Sequence, residues 1–218
     1  MTTREVHCAE ALAWLQTQRF GPEVSIVTSM PDSSEVPALS FEGWQTWFSD
    51  TARRLCEAVS DEAVVIFYQT DVKRDGRWVD KGFLVSLGAQ AAQSHCLWHK
   101  VVCRAPAGLT TFGRPAWAHL QCFSRARRLE PARSSPDVLP RLGEMTWARA
   151  MGLEACEAIA HFLVRHTDTR TVVDPFCGVG TMLAVANTHG LDAVGVELSA
   201  KRAEKARNLA LKPRVPAP

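Results

Sequence analysis

Apolar positions along the chain fall into two patterns. Val24, Ile26 and Val27 cluster within Glu23 to Asp32, and Ala63 to Tyr68 (AVVIFY) is continuously apolar. Thr171 to Val173 is β-branched, and Ala193 to Val196 is a fourth short run. Runs of this length without alternation predict strands covered on both faces, as in a parallel sheet. Between them the spacing turns helical. Trp44, Trp47, Phe48, Leu55 and Val59 approximate one face of a helix over Phe41 to Val59, and Met182, Leu183, Val185 and Ala186 start another after Thr181. Further helices are predicted over Gly82 to Gln93, Leu153 to His166 and Ser199 to Leu211, the last with Ser199 as N-cap. At the N-terminus a strand from Arg4 runs into a helix with Leu12 and Leu15 facing inward. Two longer strands, His95 to Arg104 and Trp117 to Ser124, flank a loop from Ala105 to Pro115. Strands alternating with helices predict an α/β fold.

Composition narrows the class. The chain has 218 residues, 46% hydrophobic and 22% charged, enough for a folded domain with a substantial core. Its net charge is +2, so any attraction to a polyanion must be local. The seven cysteines are scattered without CxxC pairs, which predicts reduced, buried thiols in a cytoplasmic protein and no metal site. No signal peptide and no membrane-spanning apolar run is evident, and no membrane association is expected.

The chemistry concentrates in Thr171 to Thr181 (TVVDPFCGVGT). A strand ends in Asp174, passes Pro175, Phe176 and Cys177, turns at Gly178 and Gly180, and enters a helix at Thr181. Glycines at such a turn let a backbone approach a ligand closely. A second acid, Glu197, ends the next strand, where a carboxylate can accept from both hydroxyls of a ribose.

This stretch resembles motif I of class I S-adenosylmethionine (SAM) dependent methyltransferases, in the Asp-Pro-Phe-Cys-Gly-x-Gly-Thr form of enzymes that methylate exocyclic amino groups of nucleic-acid bases. The resemblance implies a SAM site formed by Asp174, Pro175, Phe176, Cys177, Gly178, Gly180, Thr181 and Glu197. Asp174 would hold the methionine amino group and Glu197 the ribose. Ala9 to Leu12 (AEAL) stands where the family's β-group has Gly-Asp-Ala-Leu, which implies Glu10 near the adenosine; alternatively Glu10 is a helix N-terminal acid favoured by the dipole. Ser29, Met30, Pro31 and Asp32 resemble the catalytic loop. There a polar oxygen and a main-chain carbonyl orient the target amine, and an aromatic stacks on the extruded base. Met30 replaces the family's first proline and Asp32 its aromatic. Phe41, Trp44, Trp47 or Phe48 is then left to supply a stacking platform, although the tryptophans read first as core, and Asp32 is left as a candidate acceptor or base.

The motif order, catalytic loop first and SAM loop near the end, is that of the circularly permuted β-group acting on N4 of cytosine or N6 of adenine. It implies a single Rossmann-like domain over 1–211 with a seven-stranded, mostly parallel sheet and one antiparallel strand near an edge. Residues 1–128 would form the substrate and catalytic half, 125–141 an exposed basic, proline-rich loop, 144–211 the SAM half, and 212–218 a disordered tail. Gln69, Thr70 and Asp71, beyond a central strand, are substrate-side candidates. Lys73, Arg74 and Arg77 are phosphate-contact candidates, as are Arg125, Arg127, Arg128 and Arg133 in the basic loop; a solvated loop is the alternative reading for each. Thr146 and Trp147 fall where the β-group packs on the methionine of SAM. His99 and His119 read as sheet histidines facing partners rather than as acid–base catalysts. Cys177 does not read as a C5-type nucleophile. The charges of the last helix read as a solvated face.

The implied activity is methyl transfer to a nucleic-acid base, with RNA slightly ahead of DNA and recognition shared with a partner protein or a homodimer. The alternatives are a protein or small-molecule methyltransferase, or a SAM-binding pseudoenzyme.

Overall fold

A computed structural model describes residues 2–130 and 135–211. The expected tail 212–218, with Arg133 and its neighbours in the basic loop, lies outside the described residues.

The chain opens with β1 (Arg4–Cys8) and α1 (Ala11–Gln16), then β2 (Val24–Thr28), a single 3-10 turn (Ser33–Glu35) and the long α2 (Phe41–Ala58). After β3 (Val65–Gln69) come the short strands β4 (Val72–Arg74) and β5 (Arg77–Val79), then α3 (Lys81–Ala91), β6 (His95–Cys103), β7 (Trp117–Ser124) and the two-residue β8 (Val138–Leu139). The last third alternates α4 (Leu153–His166), β9 (Thr171–Asp174), α5 (Thr181–Thr188), β10 (Asp192–Glu197) and α6 (Ala200–Asn208).

Among the described residues eight strands form one sheet in the order β1-β10-β9-β2-β3-β7-β6-β8. Only β7 runs against the others, pairing antiparallel with both β3 and β6. The expected seven strands with one antiparallel are therefore present, and β8 adds an eighth at the edge beside β6. The sheet joins strands from both ends of the sequence: β1 pairs with β10, and β2 with β9. Arg4 closes this seam, its guanidinium donating to the carbonyl of Leu209 at 2.6 Å.

Every residue of β2 and of β3 is buried. The cause is cover on both faces. Ile26, Val65 and Phe67 point to a layer holding Leu15 of α1, Trp44, Phe48 and Leu55 of α2, and Val85 and Ala89 of α3. Val27, Ile66 and Tyr68 point to the opposite layer, with Ile159 and Leu163 of α4, Met182 and Leu183 of α5, and Ala203 and Ala206 of α6. Three helices thus cover each face. The segment after β3 folds as a β4–β5 hairpin rather than an open turn; Asp75 (φ 50°) and Gly76 (φ 71°) take the left-handed pair of conformations that a two-residue hairpin needs.

The cysteine expectation holds for Cys56, Cys122, Cys156 and Cys177, which are buried, but Cys8 and Cys96 are exposed. Among the described residues no helix is long and apolar enough to cross a membrane.

Candidate functional site

A cavity of about 340 Å³ opens at the carboxyl ends of the parallel strands. Six strands bring a residue to it: Glu10 after β1, Ser29 after β2, Thr70 after β3, Arg104 after β6, Asp174 ending β9 and Glu197 ending β10. This is the crevice that open α/β sheets offer to ligands.

One wall is the turn from β9 into α5. Asp174 is 2% exposed. Its Oδ1 accepts from the Thr28 hydroxyl at 2.7 Å and from the Phe176 main-chain N–H at 3.1 Å. Burial, opposed by those two bonds, pushes the Asp174 carboxyl up to about 7. Gly178 (φ 57°) and Gly180 (φ 83°) turn the chain, and a Cβ on Gly180 would stand 2.9 Å from the Cα of Ala206 in α6. The Trp147 indole lies over the turn, 3.0 Å from where a Gly178 Cβ would be. Thr146 fixes the same segment, its hydroxyl 2.5 Å from that of Thr181. Phe176 packs edge-on against Trp47 with ring centroids 6.2 Å apart. The Cys177 thiol is buried, and burial raises its pKa, which keeps it protonated and unreactive.

Glu197 is also buried. Its Oε1 accepts from the Ser199 N–H at 2.8 Å and from Arg202 at 2.7 and 2.9 Å. Arg202 therefore belongs to the cavity wall and is not simply part of a solvated face; Arg207 likewise donates to the Val6 carbonyl. Glu10 caps α1, accepting from the N–H groups of Leu12 and Ala13 at 3.0 and 2.7 Å, and lines the cavity as well. The helix-cap reading of Glu10 thus holds, and the residue stands at the cavity edge.

The facing wall is the loop after β2. Ser29, Met30, Pro31 and Asp32 all line the cavity. The loop is held from below: Trp44 Nε1 donates to the Pro31 carbonyl at 3.2 Å, and Met30 is packed under it at 2% exposure. Asp32 accepts from the buried Lys81 ammonium at 2.6 Å and pairs with Arg114 at 3.4 Å. Burial lowers the Lys81 pKa, with Asp32 opposing that shift. Trp44 and Phe48 are core, while Trp47 packs against that core from its edge and lines the cavity as well. The Tyr68 hydroxyl also reaches the cavity wall and is buried without a hydrogen-bond partner.

The substrate-side candidates divide. Thr70 lines the cavity and accepts from Arg104 at 3.1 Å. Gln69 and Asp71 do not line it. Gln69 is fully buried, its amide unpartnered. Asp71 accepts from the Lys81 N–H, Trp78 Nε1 and His119 at 2.8 to 2.9 Å. Burial alone would raise its carboxyl, yet these bonds hold it below the ordinary value. His119 also lies 3.0 Å from His99, as expected of sheet histidines with partners. Lys73, Arg74 and Arg77 sit on the β4–β5 hairpin, outside the cavity lining, with Lys73 over Trp78 and Arg74 over Phe41.

The basic loop requires a correction. Arg125, Arg127 and Arg128 follow the antiparallel β7, so they emerge at the opposite end of the sheet from the cavity. Arg125 binds the Cys56 and Val59 carbonyls and Asp61. Arg127 binds the Glu62 and His166 carbonyls and Asp168. Arg128 packs on His95. All three thus stand away from the cavity, Arg125 and Arg127 bridging surface acids and main-chain carbonyls and Arg128 exposed beside His95. The cationic side chains at the cavity are Arg104, Arg114, Arg149, Arg202 and Lys81. Sequence reasoning passed over all five as site residues. The one available signal was that Arg104 directly follows the carboxyl end of a strand.

No protein-family model matches the chain, and no curated protein does. Solved structures do. A candidate DNA modification methylase of Thermus thermophilus superposes with a TM-score of 0.71 at 17% identity, over 95% of this chain and 94% of that one. The same protein complexed with S-adenosyl-L-methionine gives 0.69 at 19% identity, over 94% and 92%. The PvuII DNA methyltransferase, cytosine-N4-specific, gives 0.72 at 15% identity, over 94% and 86%. Likeness over nearly the whole of each chain establishes the fold as the Rossmann-like methyltransferase fold.

Proposed function

We propose that this protein is a SAM-dependent methyltransferase acting on an exocyclic amino nitrogen of a nucleic-acid base. The observation that carries the reading is the meeting, across one cavity, of the Asp174 to Thr181 turn and the Ser29 to Asp32 loop, joined by the Thr28–Asp174 hydrogen bond.

The residues present fit the cofactor. Asp174 is a buried carboxylate whose ionised form lacks a cation, which suits an amino-acid ammonium. Gly178, pressed under Trp147, leaves no bulk at the turn. Glu197 engages its donors through Oε1, which suits it to accept from ribose hydroxyls with Oε2. SAM, when bound, supplies an electrophilic methyl on a sulfonium sulfur. On the other wall the Ser29 hydroxyl and the Met30 carbonyl accept from the target amine and aim its lone pair. The Lys81–Asp32 pair holds that loop in one shape, so positioning supplies much of the rate. Trp47, beside Phe176, is the aromatic surface against which a base can rest.

Two refinements follow. The lean towards RNA has no support among the structural neighbours; those described by substrate act on DNA, and DNA becomes the first candidate. Arg104, Arg114 and Arg149 become the phosphate-contact candidates by their place at the cavity, although Arg114 also pairs with Asp32 and Arg149 with Glu35.

The test is transfer of labelled methyl from SAM to duplex DNA, tRNA, rRNA and total protein. Label in DNA, alkali-stable and located on an amino nitrogen, is the expected result. Label confined to protein, or SAM binding without turnover on any acceptor, overturns it.

A further inference from the structure

A second cluster of chemically capable side chains lies outside the cavity. Glu157 and His161 stand one turn apart on α4 and share a face. His189 caps the C-terminus of α5. One donor atom from each lies within 4.8 Å of the other two. His189 Nε2 already bonds Glu157 Oε2, and the two imidazoles meet edge to face with centroids 4.7 Å apart. None of the three lines the cavity.

We propose that Glu157, His161 and His189 form a binding site for a divalent transition-metal ion, of which Zn²⁺ is the best fit, clamping α4 to α5. Two imidazole nitrogens and one carboxylate oxygen are a donor set suited to Zn²⁺ and its transition-metal neighbours and ill-suited to Mg²⁺. Bonds of about 2.0–2.1 Å to one tetrahedral ion set the ligand atoms roughly 3.3 Å apart, so the ion takes the place of the His189–Glu157 hydrogen bond, those two atoms part slightly, and rotation of the exposed His161 brings in the third. A fourth position stays open to water.

One feature beside the cluster favours a cation. His189 donates its main-chain N–H to the Val185 and Ala186 carbonyls, so its ring stands at the negative end of the α5 dipole. The other histidine–carboxylate cluster, Asp71, Asp80 and His119, differs in kind. There Asp71 already accepts three hydrogen bonds and the second His119 nitrogen faces His99.

The consequence is mechanical. The α5 helix begins at the Gly180 turn and ends at His189. A bound ion fastens its far end to α4 without touching the ligand wall.

The experiment is calorimetric titration of chelator-stripped protein with ZnCl₂, alongside His161→Ala, His189→Ala and Glu157→Gln. His161 is exposed, so His161→Ala removes a ligand without disturbing the core. One ion per chain is expected, with affinity falling more than about tenfold in either histidine variant. ZnCl₂ raises the melting temperature of the unaltered protein but not of His161→Ala, and MgCl₂ does neither. CoCl₂ gives visible d–d absorption without a thiolate charge-transfer band. Unchanged zinc affinity in His161→Ala and His189→Ala, a thiolate band pointing to Cys8 or Cys96, or no binding at all would overturn the proposal.

Discussion

The Thr28 hydroxyl donates to Asp174 Oδ1 at 2.7 Å, both residues buried, and so couples the last residue of β2 to the last residue of β9. The residue after Thr28 begins the proposed catalytic loop, and the residue after Asp174 begins the proposed cofactor turn. Thr28→Val keeps the shape and removes the donor. It should cost about 1–3 kcal/mol of stability and weaken SAM binding by roughly tenfold, read by calorimetry. Wild-type affinity in this variant would mean that the bond has no part in the site.

Asp174→Asn separates stability from function. An acid whose folded pKa is raised from 3.8 to about 7 favours the folded state most while protonated. That advantage is complete below 3.8 and is lost as pH rises to about 7. Asparagine has no such loss. At pH 8 the ligand-free variant should be the more stable by up to about 4 kcal/mol, with the gap closing towards about pH 4. SAM binding should vanish at every pH. Denaturant melts at about pH 5 and pH 8 decide the matter, and a pH-independent difference would contradict the assignment.

The two turn glycines should differ. A methyl group on Gly180 meets the Cα and carbonyl oxygen of Ala206, which are main-chain atoms that cannot step aside. On Gly178 it meets the Trp147 ring, which can tilt. Both sites carry a strained positive φ, worth about 1–3 kcal/mol for alanine. Gly180→Ala is therefore expected to lower the melting temperature more than Gly178→Ala, while Gly178→Ala impairs SAM binding by moving the indole. The reverse ranking would count against this account of the turn.

On the opposite wall, Ser29→Ala should leave SAM affinity unchanged and reduce turnover by at least about tenfold, since it removes an acceptor for the amine and nothing else. Lys81→Met should also spare SAM binding, because Lys81 touches Asp32 and not the cofactor wall. Single-turnover rates with saturating SAM give the measurement. Full rates in Ser29→Ala would remove the loop from the mechanism.

The arginines give a paired test. Arg114→Ala with Arg149→Ala should weaken DNA binding and flatten its salt dependence by about one to two units of slope. Arg127→Ala should leave DNA binding alone but lower thermal stability, because its guanidinium ties Glu62, His166 and Asp168 together. Filter binding across a salt series compares them.

Most of this architecture could be read from periodicity and motif. The apolar runs at Ala63 to Tyr68 and Thr171 to Val173 lie in the buried parallel strands, and the predicted α4 and β7 match the observed boundaries. The strand-end positions of Asp174 and Glu197 were legible because each acid closes a short apolar run. What sequence could not give was the destination of long polar side chains. Arg125 and Arg114 look equally basic in a string. Only strand direction decides that one emerges beneath the sheet and the other above it. The buried Lys81 was invisible for the same reason. It reads as a solvated loop residue until Asp32, 49 positions earlier, is folded against it.

The indole of Trp147 over Gly178, and that of Trp47 beside Phe176, give the cavity two built-in optical probes. Emission from these rings responds to the polarity and charge beside them, so a cationic sulfonium arriving at the turn will quench or shift it. Occupancy can then be followed in real time by stopped flow without labels, and a Trp147→Phe variant isolates the contribution of the ring that closes over the turn.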